Sequence, residues 1–153
     1  MTHTGPFKQP FSVLVIVHTP QLEVLLLERV GKPGMWQSVT GSLEVGETPV
    51  TAACREVEEE TGLHLPADAF RDWQQTNRFR IRGLWQKKYA PDVRYNTEHV
   101  FSLCIPEPFA VRLAPDEHHR YEWLSYQAAA EKVFSWSNRD AILRLPRLYA
   151  CPR

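Results

Sequence analysis

Apolar residues concentrate first in two runs, Phe11–Val17 and Val24–Leu27, separated by His18-Thr19-Pro20-Gln21. The β-branched content of the first run and the turn residues between the two predict a β-hairpin. Neither run alternates cleanly with polar residues, so the pattern predicts strands covered on both faces in a layered α/β/α arrangement. After a loop at Val30–Met35 that holds Gly31, Pro33 and Gly34, a short strand Trp36–Thr40 leads into Gly41. Further strands are predicted over Trp73–Ile81, over His99–Ile105 with Pro106 ending it, and over Tyr121–Leu124. Ser125 is placed to cap a helix through Tyr126–Val133, and a second helix is predicted from Arg139 to Leu145, ending at Pro146. Trp36 has two open roles, a core aromatic or a plane on which a ligand ring stacks.

A bounded helix is predicted between Pro49 and Gly62. Pro49 suits a first helical turn, Thr48 or Glu47 can cap it, and Gly62 can adopt the left-handed conformation that stops it. At about 100° per residue, Glu56, Glu59 and Glu60 share one narrow arc, while Val50, Cys54 and Val57 occupy another. Each like-charged pair at these spacings costs an isolated helix about 0.2–0.5 kcal/mol, so a cation is expected to relieve the repulsion. All-oxygen ligands suit Mg²⁺, with Mn²⁺ also possible. A solvated acidic face is the other reading of the same run.

Composition narrows the class. With 153 residues and 43% hydrophobic content, residues 1–153 are expected to form one domain. Formal net charge is zero, so no global field draws the protein to nucleic acid or to an anionic membrane, and neither is expected as a partner. Cys54, Cys104 and Cys151 lack metal-ligand spacing and read as reduced, mostly packing thiols. MTHTGPFKQP lacks the pattern of a leader and Val13–Val17 is too short to span a bilayer, so a cytoplasmic location is expected. Monomer and homodimer both stay open.

Around the glutamate run the flanking residues change the picture. Gly41 is followed after five residues by Glu47 and, after seven more, by Arg55-Glu56-Val57, then Glu59-Glu60 and Gly62-Leu63. This resembles the Nudix box, with every fixed position of the pattern filled. The resemblance implies the Nudix fold, an α/β/α sandwich with a mixed sheet and the Nudix loop-helix-loop, and hydrolysis of a diphosphate linked to another moiety. It implies Mg²⁺ held by Glu56, Glu59, Glu60 and Glu117, the last in the loop before Tyr121-Glu122-Trp123-Leu124. Taken alone, Glu117 would read as a surface loop residue. Gly41, Glu47, Arg55 and Gly62 support the box, with Arg55 beside the acidic face and able to pair with Glu47. Either Glu56 or Glu117 is the proton acceptor for the attacking water.

Substrate contacts are expected from Lys8 and Arg29, which flank the first two strands, from Thr40 beside the phosphate end, and from Ser135 between the last two helices. Arg78, Arg80 and Arg82 alternate on one strand face, with Lys87 and Lys88 nearby. They form either a solvated edge or an electropositive rim for polyphosphate. Outside the box, FSVLVIV, WQSVTGSLEVGET, YAPDVRYNTE, the Glu117-His118 pair and SWSNRDAI are similar to bacterial Nudix hydrolases that cleave a pterin triphosphate to the monophosphate and pyrophosphate in folate synthesis. Asn77–Gln86 does not match that group. The alternatives are a (deoxy)nucleoside triphosphate pyrophosphohydrolase and a catalytically inert binding module, although no box carboxylate is missing.

Overall fold

The computed structural model describes residues 7–149. Its strands are β1 (Phe11–His18), β2 (Glu23–Arg29), β3 (Trp36–Gln37), β4 (Val39–Ser42), β5 (Phe70–Arg80), β6 (Tyr95–Cys104) and β7 (His118–Ser125). Its α-helices are α1 (Pro49–Thr61), α2 (Tyr126–Lys132) and α3 (Trp136–Leu148). The strands form one mixed sheet, β3-β2-β1-β6-β5, with β4 also on β1 and β7 on β2.

β1 is the central strand because it pairs on both edges. It runs parallel to β6 from Phe11↔Thr97 to His18↔Cys104 and antiparallel to β4 from Ser12↔Ser42 to Val15↔Val39. The predicted hairpin holds only at its turn, where His18 pairs with Val24. Beyond that point β2 leaves β1 and pairs with β7, from Glu23↔Ser125 to Arg29↔His118.

Both faces of β1 are buried, which explains its unbroken apolar run. Val13, Val15 and Val17 pack with Ala52, Ala53 and Val57 of α1, while Leu14 and Ile16 pack with Ala129, Ala141, Ile142 and Leu145 of α2 and α3. This is the three-layer arrangement that the pattern predicted. Trp36 belongs to the second layer at 3% exposure, with Lys132 Nζ 4.3 Å from its ring centroid. That resolves its role in favour of the core.

Several boundaries differ from the sequence expectation. β5, β6 and β7 each start earlier than predicted, because polar residues at their beginnings still pair across the sheet. α3 starts at Trp136, capped by Ser135, and continues through Pro146 to Leu148. So near the end of the helix, proline removes only one hydrogen-bond donor and the last turn persists. Trp136 itself is 48% exposed. Cys54 is partly buried and Cys104 exposed, both as free thiols, while Cys151 lies outside the described residues. Among the described residues no helix is long and apolar enough to cross a membrane.

Candidate active site

The site is built on α1. Thr48 caps it by accepting from Thr51 N–H, Pro49 begins it, and Gly62 at φ 81° closes it. Packing Ala52, Ala53 and Val57 into the core turns Glu56 and Glu60, one turn apart, inward with them. Glu59, four residues after Arg55, stays at the exposed rim with its side chain 52% accessible. The three-glutamate arc is therefore divided: two carboxylates lie inside and one outside.

Arg55 joins the two parts. Its Nε and Nη2 each donate to Glu47 at 2.8 Å, its Nη1 donates to Glu56 at 2.8 Å and Glu59 at 3.2 Å, and Nη2 also donates to the Ser42 carbonyl at 3.0 Å. One guanidinium fork thus ties the Gly41–Glu47 loop to the helix and supplies part of the positive charge the glutamates need. Gly41 is the close-approach point: a Cβ there would collide with the Glu56 carboxylate.

Glu60 has no exposed surface, and among the described residues neither of its oxygens makes a hydrogen bond of ordinary geometry. Burial pushes its pKa well up, and the neighbouring Glu56 and Glu117 push it further. The nearby Thr40 backbone opposes the shift. Burial also raises Glu56, against the pull of Arg55. Ligand atoms of Glu60, Glu117 and His118 lie within 4.8 Å of one another. The buried, unpartnered oxygens of Glu60 and the exposed Glu117 carboxylate, with the His118 imidazole beside them, form a donor set whose hard oxygens fit a divalent cation such as Mg²⁺.

Positive charge reaches this cluster from Lys8 and Arg29. Lys8 is lowered by partial desolvation and by Lys88, while Glu56 and Glu117 act to raise it. Its backbone N–H donates to the Lys88 carbonyl, 2.8 Å away. Arg29 helps to depress His118, which burial first of all brings down to about 4, so that imidazole is neutral. Thr40 donates its hydroxyl to the Val13 carbonyl at 2.9 Å, and Ser135 accepts from Asn138 N–H at 3.4 Å as the α3 cap. The Thr40 hydroxyl hydrogen is thus committed within the protein, while the Ser135 hydroxyl also meets that of Ser137 at 3.0 Å. Arg80 and Arg82 line a separate hollow of about 690 Å³ with Arg94, and none of the site carboxylates lines it. Arg78 stacks on Tyr95 at 4.2 Å.

Three contributors lay outside the sequence reading of the site. Gln37 meets the ring of His118, Glu28 binds Gly34 N–H and His119 to hold the Gly31–Gly34 loop, and Asn138 clasps Ser38 through both its backbone N–H and its hydroxyl. The Glu117-His118 pair and the stretches WQSVTGSLEVGET and SWSNRDAI, which hold Gln37 and Asn138, were the available signals; the contacts of Gln37 with His118 and of Asn138 with Ser38 join residues far apart in the chain.

With this loop-helix-loop beneath a mixed sheet, the molecule has the form of a phosphoanhydride hydrolase. Residues 8–145 match the NUDIX domain, and the chain belongs to the Nudix hydrolase family. It is 42% identical over 139 residues to the dihydroneopterin triphosphate diphosphatase of Escherichia coli K12, covering 89% of this chain and 91% of that one. The Haemophilus influenzae enzyme of the same name is 36% identical over 139 residues, covering 89% and 87%. The solved structure of the E. coli dihydroneopterin triphosphate pyrophosphohydrolase superposes with a TM-score of 0.84 at 41% identity, covering 92% of this chain and 97% of the other.

Proposed function

We propose that this protein hydrolyses dihydroneopterin triphosphate to dihydroneopterin monophosphate and pyrophosphate in folate synthesis, with Mg²⁺ held by Glu56, Glu59, Glu60 and Glu117, Glu59 reaching it from the rim. The observation that carries the reading is the buried, unpartnered carboxylate of Glu60 beside Glu117. Its setting supports the substrate, since the chain is 42% identical to an enzyme of that name over most of its length. When bound, Mg²⁺ neutralises polyphosphate charge and lowers the pKa of the attacking water, and Mn²⁺ suits the same donors.

The protein's own residues do the positioning. Arg55 holds Glu56 and Glu59 against the Glu47 loop, and the Thr40 backbone faces Glu60. Lys8 and Arg29, whose charges reach Glu56, Glu117 and His118, bind polyphosphate oxygens. Glu117 takes the proton of the attacking water, because it is the solvent-facing carboxylate whereas Glu56 is buried and already gives Oε1 to Arg55. Thr40 acts as a support, since its hydroxyl hydrogen goes to the Val13 carbonyl, and Ser135 keeps the substrate-contact role at the start of α3. Residues 1–153 work as one domain in the cytoplasm, and balanced charge favours a small triphosphate over nucleic acid.

The test is product analysis with Mg²⁺, offering the pterin triphosphate and a panel of nucleoside triphosphates separately and resolving pyrophosphate from orthophosphate. Pyrophosphate release with the highest kcat/KM on the pterin is expected. A higher kcat/KM on dATP or an oxidised dGTP overturns the substrate and keeps the chemistry. Orthophosphate as the product overturns the bond assigned to cleavage.

A further inference from the structure

We propose that Gln37 and His118 form a buried positioning pair that presents the imidazole Nδ1–H to Glu60 and so fixes this carboxylate for its cation. The inference rests on the reading of Glu60 as a metal ligand and deepens it. Gln37 Nε2 lies 3.0 Å from His118 Nε2, with Gln37 5% and His118 2% exposed. Two nitrogens at that separation need one donor and one acceptor, and an amide nitrogen can only donate. His118 Nε2 is therefore the acceptor, which places the ring hydrogen on Nδ1.

Nδ1 stands 3.7 Å from Glu60 Oε1, and among the described residues neither atom has a hydrogen-bond partner of ordinary geometry. A hydrogen bond made across that gap would engage one oxygen and leave the second for the cation. The sheet makes the arrangement: Gln37 lies opposite Leu27 and His118 opposite Arg29, two positions on the same face of β2. A neutral donor suits this place. A charged one would compete with the cation for Glu60, and the neighbouring Arg55 is bonded to Glu56 instead. The adjacent His119 turns away to Glu28, 2.6 Å from its Oε1. Carboxylate ligands of metals are held by such outer hydrogen bonds, whose loss weakens metal affinity about 10- to 100-fold.

The test is calorimetric titration of the metal-stripped full chain with MgCl₂, alongside thermal melts without metal. His118→Phe is expected to weaken Mg²⁺ binding about 10- to 100-fold while the protein still melts cooperatively. His118→Asn, whose amide can donate from nearly the same point, is expected to restore most of the affinity. Gln37→Glu turns the donor to Nε2 into an acceptor, moves the ring hydrogen away from Nδ1 and is expected to weaken binding similarly. If His118→Phe does not fold, the Gln37→Glu result decides. Unchanged affinity in either folded variant, with binding lost in Glu60→Gln, overturns the positioning pair alone. Unchanged affinity in Glu60→Gln as well overturns the ligand reading beneath it. A directly coordinated nitrogen in the electron paramagnetic resonance of bound Mn²⁺ also overturns the pair, because Nδ1 would then carry no hydrogen.

Discussion

Glu60 concentrates the electrostatic conflict of the site in one side chain. It is buried without a hydrogen bond of ordinary geometry among the described residues, and Glu56 and Glu117 both repel its charged form. Such a group is costly to the fold and useful to a cation. Glu60→Gln is expected to lower kcat by at least about two orders of magnitude, in the range lost when one electrostatic stabiliser is removed, while raising the metal-free melting temperature. Near-normal turnover would remove Glu60 from the ligand set. Gly41 makes the complementary case, because its missing side chain is what admits the Glu56 carboxylate. Gly41→Ala is expected to cost about 1–3 kcal/mol of stability as an overpacking change, together with a large fall in kcat. Chemical denaturation and steady-state kinetics on the one variant check both halves.

At the scale of elements, α1 and the loop before it act as a single unit. The helix ends where Gly62 takes φ 81°, and a Cβ there would also lie 3.1 Å from that of Arg112. Gly62→Ala is expected to destabilise by about 1–2 kcal/mol from left-handed backbone strain, read as a shifted denaturation midpoint. The loop depends on Arg55, whose Nε and Nη2 reach both Glu47 oxygens and whose Nη1 reaches Glu56. Lysine has the charge without the fork. Arg55→Lys is therefore expected to leave kcat far nearer to Arg55→Ala than to the parent, and kinetics that match the parent would reduce Arg55 to a simple counter-charge. The element most visible in sequence was α1, since its cap, first-turn proline, glutamate spacing and terminal glycine are all local signals. The β1–β2 hairpin was half visible: its turn is local, but the strands diverge towards β6, β4 and β7 through contacts between distant residues.

At the scale of the whole molecule, burial sets opposing pH dependences. Glu56 and Glu60 have folded-state pKa values raised above 4.5, so the folded protein binds their protons more tightly than the unfolded chain. Their cost is absent below the ordinary carboxyl range and grows as pH rises through the folded values. His118, lowered from 6.5 to about 4, works the other way, and its contribution is lost as pH falls from 6.5 towards 4. The stability gain of Glu60→Gln over the parent, both metal-free, is therefore expected to widen as pH rises above the ordinary carboxyl range towards neutrality and beyond. Mg²⁺ is expected to raise the melting temperature of the parent more at the higher pH, because protons no longer compete for the carboxylates. Melts over that range, with and without Mg²⁺, check both; a gap that narrows with rising pH would contradict the buried-charge account.

The hydrolase family, the layered α/β/α class and the box glutamates were written in the sequence by itself, because they rest on spacings within a few turns of chain. Apolar runs without alternation already required sheets covered on both sides. Tertiary structure alone decided which glutamates of the shared arc went inside, since that depended on how α1 rolls Ala52, Ala53 and Val57 into the core. It alone brought Gln37 and His118 together through β2, seated Trp36 in the core and committed the Thr40 hydroxyl hydrogen within the fold. Each of these outcomes depends on atoms from separate elements meeting in space, and no local period along the chain encodes such a meeting.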